Sequence, residues 1–336
     1  MGRTGSLACL AALVALAACA TRTDAADVAP RATTTTTVVP TSTTAPTTTV
    51  PATTTAAPTT TEAPTTTTTT VPVDVHALRP PAPTGEPAAL AARIASAEAT
   101  LRTPGAPAGD VAAAALTQQV AYRELGDHPE WDAAVLAALP ADIVPGVQRQ
   151  TAARREFMSL SSRPVESMPA WNVVAPAPPE QLLAWFQEAE AEFGIPWPYL
   201  AAINLVETGM GRIRGTSVAG AQGPMQFMPA TWAAYGEGDV NDHRQAVRAA
   251  ARYLQANGGP ADMANALWHY NHSDHYVRGV ELYAQAIGEH PGAWPAAYNW
   301  GVWYRTAAGD VFLPVGYATT ERIPVDQYLA TNPRTG

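Results

Sequence analysis

Glu207 is the residue with the clearest claim to chemistry. It follows Leu200 and Ile203 at spacings of seven and four, so a helix over this segment carries a carboxylate on its apolar stripe. A solvating glutamate does not belong there. Burial disfavours the ionised form, and so does a place in the last helical turn, which faces the negative end of the helix dipole. A carboxyl group raised in this way suits a general acid at neutral pH. The competing reading places the helix end a residue or two away, which would leave Glu207 exposed.

Behind Glu207 comes a flexible stretch with Gly209, Gly211, Gly215, Gly220 and Gly223, and then Met225-Gln226-Phe227-Met228-Pro229 sets an amide between apolar side chains. Here the chain resembles the lytic transglycosylases with a goose-type-lysozyme-like fold. The resemblance rests on a Glu-Thr-x-x-Gly helix end running from Glu207 to Gly211, then Ser217, Gly220-Ala221-Gln222-Gly223, Met225-Gln226, Met228-Pro229 and, much later, Tyr270-Asn271. It covers roughly Leu182 to Gly288. It implies peptidoglycan glycan strands as substrate and cleavage of the β-1,4 bond between N-acetylmuramic acid and N-acetylglucosamine.

By the same resemblance Glu207 is the catalytic acid and base. Ser217, Gln226, Met228 and Asn271 fall among the saccharide-site positions, and Tyr270 matches the tyrosine near the carboxyl group. The chain departs from the family pattern in three places. Thr208 stands where serine is frequent, Pro224 where leucine is usual, and His272-Ser273 where Ala-Gly is usual. No cofactor is implied.

Glu207 has no acidic companion between Thr208 and Tyr235; the next candidates are Glu237, Asp239 and Asp242. Glycosidases that use water normally need two carboxyl groups. With one, the substrate's own C6 hydroxyl is the nucleophile most readily held in place, which predicts 1,6-anhydro ends. A hydrolytic muramidase and a non-catalytic glycan-binding lipoprotein stand as alternatives. His269, His272 and His275 with Asp274 invite a zinc reading, but no His-Glu-x-x-His and no fourth ligand accompany them. Asp239, Asn241 and Asp242 lack the twelve-residue calcium pattern and its terminal glutamate. The reading is therefore of no metal.

The elements that must position these residues are mainly helical. Periodicity and Gly/Pro punctuation predict helices over 88–103, 110–126, 129–139 and 147–161, read as an accessory subdomain within 81–170. Leu182, Phe186, Ala189 and Phe193 mark a further helix stopped by Gly194. Asp242 and Gln245 suggest a capping box ahead of Val247, Ala250, Ala251 and Leu254, and Val277, Val280, Ala284 and Ile287 another helix, ended by Gly288. Residues 171–289 form the catalytic region in this reading. Over 290–336, Trp300-Val302-Tyr304 alternate ahead of an Ala-Gly-Asp turn, which predicts a short β-hairpin. Its aromatics are expected either to pack on the body or to stack on sugar rings.

The N-terminal part has a different character. Residues 1–18 read as a secretory signal, with Arg3 ahead of an apolar run. Its end, Leu16-Ala17-Ala18-Cys19, resembles a bacterial lipobox, which implies a lipoprotein signal peptide with Cys19 as the lipidation site, the alternative being an ordinary signal peptide in which Cys19 is incidental. Residues 19–80 read as a disordered Thr/Pro-rich tether, since 23 of the 38 residues from Thr33 to Thr70 are threonine and cannot bury apolar surface. The expected location is the outer face of the cytoplasmic membrane, reaching into the cell wall. The net charge of −9 and the lack of a basic excess exclude a nucleic-acid partner.

Overall fold

The computed structural model describes residues 74–160 and 164–333. The signal segment, Cys19 and the tether up to residue 73 lie outside the described residues. What is described is mainly helical, with twelve α-helices and six short strands.

The first four helices are α1 (Pro87–Leu101), α2 (Ala108–Asp127), α3 (Asp132–Ala138) and α4 (Val144–Leu160). Pro87 opens α1 at a position whose N–H has no helical partner in any case. The helix expected over 129–139 is a 3-10 turn, Pro129–Trp131, running into α3. α4 starts three residues earlier than expected, because Pro145 sits in its first turn, where a missing N–H is tolerated.

After α4 come two-residue strands β1 (Ser167–Met168) and β2 (Asn172–Val173), then α5 (Pro179–Phe193) and α6 (Trp197–Thr208). Gly194 ends α5 in the left-handed conformation, φ +73°. β3 (Ile213–Arg214) pairs antiparallel with β2. Next are α7 (Pro229–Tyr235), α8 (His243–Ala256), α9 (Met263–Tyr270), α10 (Asp274–Ile287) and α11 (Ala293–Asn299). Asp242 caps α8 by accepting from the Gln245 N–H at 2.8 Å. The Gln245 side chain does not return the bond to Asp242; it accepts from the Asp239 N–H instead, so the capping box is half made.

The hairpin is β4 (Val302–Thr306) and β5 (Gly309–Leu313), in register Val302↔Leu313 and Tyr304↔Val311. Its turn is Ala307-Ala308. Gly309 and Asp310, expected in the turn, begin β5. Trp300, expected to start the alternation, caps the C-terminus of α11. β6 (Ile323–Pro324) pairs with β1 and leads into α12 (Val325–Thr331). Two-residue strands are too short to show a period of two, and β1, β2, β3 and β6 were not expected.

One continuous apolar core runs through the helices. It includes Leu90 and Ile94 of α1, Phe157 of α4, Leu182 and Phe186 of α5, Leu200 and Ile203 of α6, Val247 of α8 and Val280 of α10. The helices within 81–170 therefore share their core with those within 171–289. Phe157 stacks on Tyr283 at 5.4 Å and meets Tyr276 edge-on at 6.4 Å. Gly279 makes the approach possible, since a Cβ there would sit 2.6 Å from the Phe157 ring. A buried side chain of this size contributes roughly 1.5–3 kcal/mol, whereas an exposed ion pair such as Arg244–Glu188 adds at most about 1 kcal/mol. Packing therefore decides the arrangement. A smaller cluster of Met168, Val173, Tyr304, Leu313, Tyr317 and Val325 sits under the hairpin.

The C-terminal aromatics are used for packing. Trp294 lies edge-on to Phe186 and Trp197, and Tyr304 is fully buried. Trp300 donates from Nε1 to Gln118 at 3.0 Å. Trp303 is half-buried, donates to Gln119 at 3.1 Å and carries the Arg123 guanidinium over its ring.

Candidate active site

α6 enters through Pro196 and Pro198 and ends at Thr208 because the chain then turns left-handed at three residues in succession, Gly209, Met210 and Gly211. Glu207 occupies the last turn. The Gly209 N–H returns to the Leu205 carbonyl at 2.9 Å and the Met210 N–H to Asn204 at 3.1 Å, which closes the helix end. Arg212 is buried beside it and donates to the carbonyls of Gly209 at 2.9 Å and Tyr298 at 2.7 Å. Burial pushes its guanidinium down to about 10, so it keeps its charge at neutral pH, on the negative end of the helix.

Glu207 is half-buried. Loss of water around its carboxyl group pushes it up to about 8, against which the hydrogen bond from Tyr276 works in the opposite direction. No charged group contributes to that shift. The Tyr276 hydroxyl, from the first turn of α10, donates to Oε1 at 2.8 Å. Tyr276 is itself fully buried, with Phe157 of α4 against its edge, so the N-terminal helices support the ring that bonds Glu207. The result is a carboxyl group that holds its proton at neutral pH and has one donor ready to stabilise the anion left when the proton departs.

Two non-glycine residues among those described have a positive φ, Met210 at +65° and Gln226 at +51°. Met210 lies in the turn directly after Glu207, and Gln226 in the loop ahead of α7. Strained backbone of this kind persists only where its surroundings over-determine it, and it concentrates at functional sites.

Tyr270 lies close enough for the Glu207 charge to hold its phenol up, after burial as the larger cause. Its hydroxyl, however, donates to the Met225 carbonyl at 2.7 Å, and its ring runs parallel to that of Tyr276 at 6.4 Å. The tyrosine bonded to the carboxyl group is thus Tyr276, which sequence reasoning missed. Ser217 and Gln226 bond within their own loops: Ser217 Oγ accepts from Ala221 at 2.9 Å, and Gln226 Nε2 donates to the Gly223 carbonyl at 2.9 Å. Met228 is half-buried at the start of α7, and Asn271 is buried where α9 ends. Met225 is core.

The other acids are engaged elsewhere. Glu237 pairs with Arg252 at 2.9 Å, Asp239 accepts from the Asn241 N–H at 2.9 Å, and Asp242 is the α8 cap. His275 bonds Glu156 at 2.7 Å, while the rings of His269 and His272 are 6.2 Å apart. No group of three or more His, Cys, Asp or Glu converges on a metal position among the described residues.

The family model of the transglycosylase SLT domain matches residues 184–301, a span that contains Glu207, Tyr276 and the glycine-rich loop. Among curated proteins, a membrane-bound lytic murein transglycosylase F of Thiobacillus denitrificans is 33% identical over 117 residues, which cover 32% of this chain and 25% of that protein. The chain thus spans about a quarter of the length of the curated relative it matches. No solved structure matches. Residues 184–301, which include the helices around the desolvated Glu207, thus match the transglycosylase SLT domain, in support of a lytic transglycosylase of the lysozyme-like superfamily.

Proposed function

We propose that the chain is a peptidoglycan lytic transglycosylase that cleaves the β-1,4 bond from N-acetylmuramic acid to N-acetylglucosamine and leaves 1,6-anhydro ends. The observation that carries this reading is Glu207: a carboxyl group at the end of an apolar helix face, pushed up to about 8 by burial, with a phenol as its hydrogen-bond donor and no charged group in the shift. Protonated Glu207 gives its proton to the glycosidic oxygen as the bond to C1 breaks. The resulting carboxylate, held by Tyr276, then takes the proton of the muramic C6 hydroxyl as that oxygen bonds to C1. One residue serves as acid and then as base, and it ends the cycle protonated.

Ser217, Gln226, Met228 and Asn271 are the proposed saccharide contacts, with Tyr270 beside the acid. The positive φ of Gln226 supports a functional role for its loop. We further propose that Cys19 carries a lipid anchor and that the mature chain reaches from the membrane into the wall. The membrane-bound relative supports this. No helix among the described residues is long and apolar enough to cross a membrane. Cys19→Ala should release the protein from the membrane fraction; unchanged fractionation with lipid still attached would refute the anchor.

Digestion of purified sacculi followed by mass spectrometry tests the chemistry. Products lighter by one water and lacking a reducing end are expected. Predominantly reducible muramic ends would transfer the reading to a hydrolytic muramidase, and glycan binding without release of products to a non-catalytic binder.

A further inference from the structure

Beneath the turn that follows Glu207 lies a buried polar network that the proton transfers themselves do not use. Asn204 and Thr208, one helical turn apart on α6, are fully buried, and His243 at the start of α8 is 7% exposed. Asn204 Nδ2 donates to the Pro224 carbonyl at 2.9 Å, and Thr208 Oγ1 donates to the same oxygen at 2.6 Å. The Gly211 N–H donates to Thr208 Oγ1 at 3.0 Å. His243 Nε2 lies 2.9 Å from Asn204 Oδ1, and because Oδ1 can only accept, Nε2 carries the proton. Burial pushes the imidazole down to about 4, so at neutral pH it is an uncharged donor.

These bonds join four elements: the end of α6, the left-handed turn at Gly211, the loop that leads into Met225-Gln226, and the first turn of α8. The fit is close, since a Cβ on Gly211 would sit 2.6 Å from the His243 ring. Thr208 and Pro224 are two of the three positions at which the chain departs from the family pattern, and they touch. Pro224 has no N–H to place, while its carbonyl serves as the shared acceptor.

We propose that Asn204, Thr208 and His243 are positioning residues that lock the helix end bearing Glu207 to the loop bearing Gln226, so that the acid and the saccharide contacts are held as one body. This rests on the reading of Glu207 as the acid. Without the Thr208 hydroxyl the Pro224 carbonyl keeps Asn204 as a donor, but the buried Gly211 N–H loses its acceptor, and the turn then gains by rearranging around it. Rearrangement displaces the carboxyl group and admits water to it, which affects the chemical step more than the binding of a long glycan.

The test compares Thr208→Val, which keeps the shape and loses the hydroxyl, with Thr208→Ser, which keeps the hydroxyl. Thr208→Val should lower kcat about 10- to 100-fold, on the scale of a misplacement of about 1 Å, with KM within about threefold. Thr208→Ser should restore kcat to near wild type. In parallel, carbon-13 NMR titration of the Glu207 carboxyl, which interacts with the phenols of Tyr276 and Tyr270, should give a lower midpoint in Thr208→Val and an unchanged one in Thr208→Ser. Amide exchange of Gly211 should speed up only in the former.

Wild-type kcat in Thr208→Val, or a loss no larger than its unfolded fraction, would overturn the proposal. If that variant does not fold, His243→Phe, which keeps a ring and loses the Nε2 proton, takes its place with the same expected direction. Should the wild type release no products at all, the functional reading fails. The NMR midpoint and Gly211 exchange then still decide the network, and their constancy in the variants would refute it.

Discussion

Glu207 and Asp310 are both carboxyl groups drawn into the body of the protein, and they are held in opposite states. Around Glu207, burial dominates and the only opposing influence is a neutral phenol, so the group is pushed up to about 8. Around Asp310, burial also acts to raise the value, but the charges of Arg123 and Arg154 outweigh it and hold the carboxyl below the usual aspartate range. Arg123 bonds Asp310 directly, and Arg154 does so at 2.9 Å. Asp310 therefore ties β5 to α2 and α4 as a permanent anion, whereas Glu207 keeps a proton it can give away. Burial alone does not fix the role of an acid; the presence or absence of a cation does.

The largest expected effect breaks the comparison at Glu207. Glu207→Gln keeps shape but has no proton to donate, and turnover should fall about 10²–10⁴-fold, measured as release of soluble muropeptides. Turnover within about threefold of wild type would move the acid role elsewhere. The same variant reports on stability. Because the folded value lies above the ordinary 4.5, the contribution of Glu207 is complete below that pH, declines as pH rises and is gone above about 8. Glu207→Gln lacks this decline, so its stability relative to wild type should improve in denaturation experiments as pH is raised from about 5 to about 9. A pH-independent difference would contradict the shift.

Asp310→Asn comes next and should act on the fold. It leaves two arginines without their shared anion, at a cost of about 3–5 kcal/mol, read by denaturant unfolding at neutral pH. Here the sign reverses: the contribution is present above the ordinary aspartate value of 3.8 and fades as pH falls through the lower folded value. The destabilisation should therefore shrink in acid, while the specific activity of the folded fraction stays at the wild-type level. A penalty that persists undiminished at low pH would show that shape, not charge, is what Asp310 supplies.

Tyr276→Phe should have a smaller effect. The hydroxyl favours the anion, so its loss should slow turnover about tenfold, the scale of one hydrogen bond to a charged group, and move the alkaline limb of the rate profile upward from about 8. An alkaline limb that moves downward would refute this account of Tyr276. The least effect is expected at Arg244→Ala. Its ion pair with Glu188 is solvent-exposed, with relative exposures of 58% and 48% for the two side chains, and stability should change by less than about 0.5 kcal/mol.

Much of the acid's setting was legible before any coordinates, because it depends on local order. Leu200, Ile203 and Glu207 share a stripe, and glycine at 209 stops the helix where the dipole argument needs it to stop. Asp242 at the head of α8 and Gly194 at the end of α5 were legible for the same reason. Tyr276 was not, because it is 69 residues from Glu207 and meets it only through the packing of α10 on α6. One signal did exist. Tyr276 precedes Val280 by four, so the stripe of α10, read one turn further back, carries a hydroxyl into the core, where it must find an acceptor. The Thr208–Pro224 contact was equally out of reach, since nothing in the sequence brings a helix end and a loop carbonyl together. Trp300 misled by alternating with Val302 and Tyr304, although the capping of α11 had already claimed it.

The segment recognisable as an SLT domain ends at residue 301, one residue before Val302, whose methyl would stand 3.3 Å from a Cβ at Gly209, directly behind the acid. Before the segment begins, Phe157 supports Tyr276 and Gln118 holds the Trp300 indole. The stretch that sequence comparison recognises is therefore smaller than the stretch that could be inherited or transplanted as a working part. A recombination event that exchanged only residues 184–301 would leave the tyrosine on Glu207 without its backing ring and the turn after the acid without its neighbour. A graft of this unit must bring α2, α4 and β4 with it, or replace them in kind.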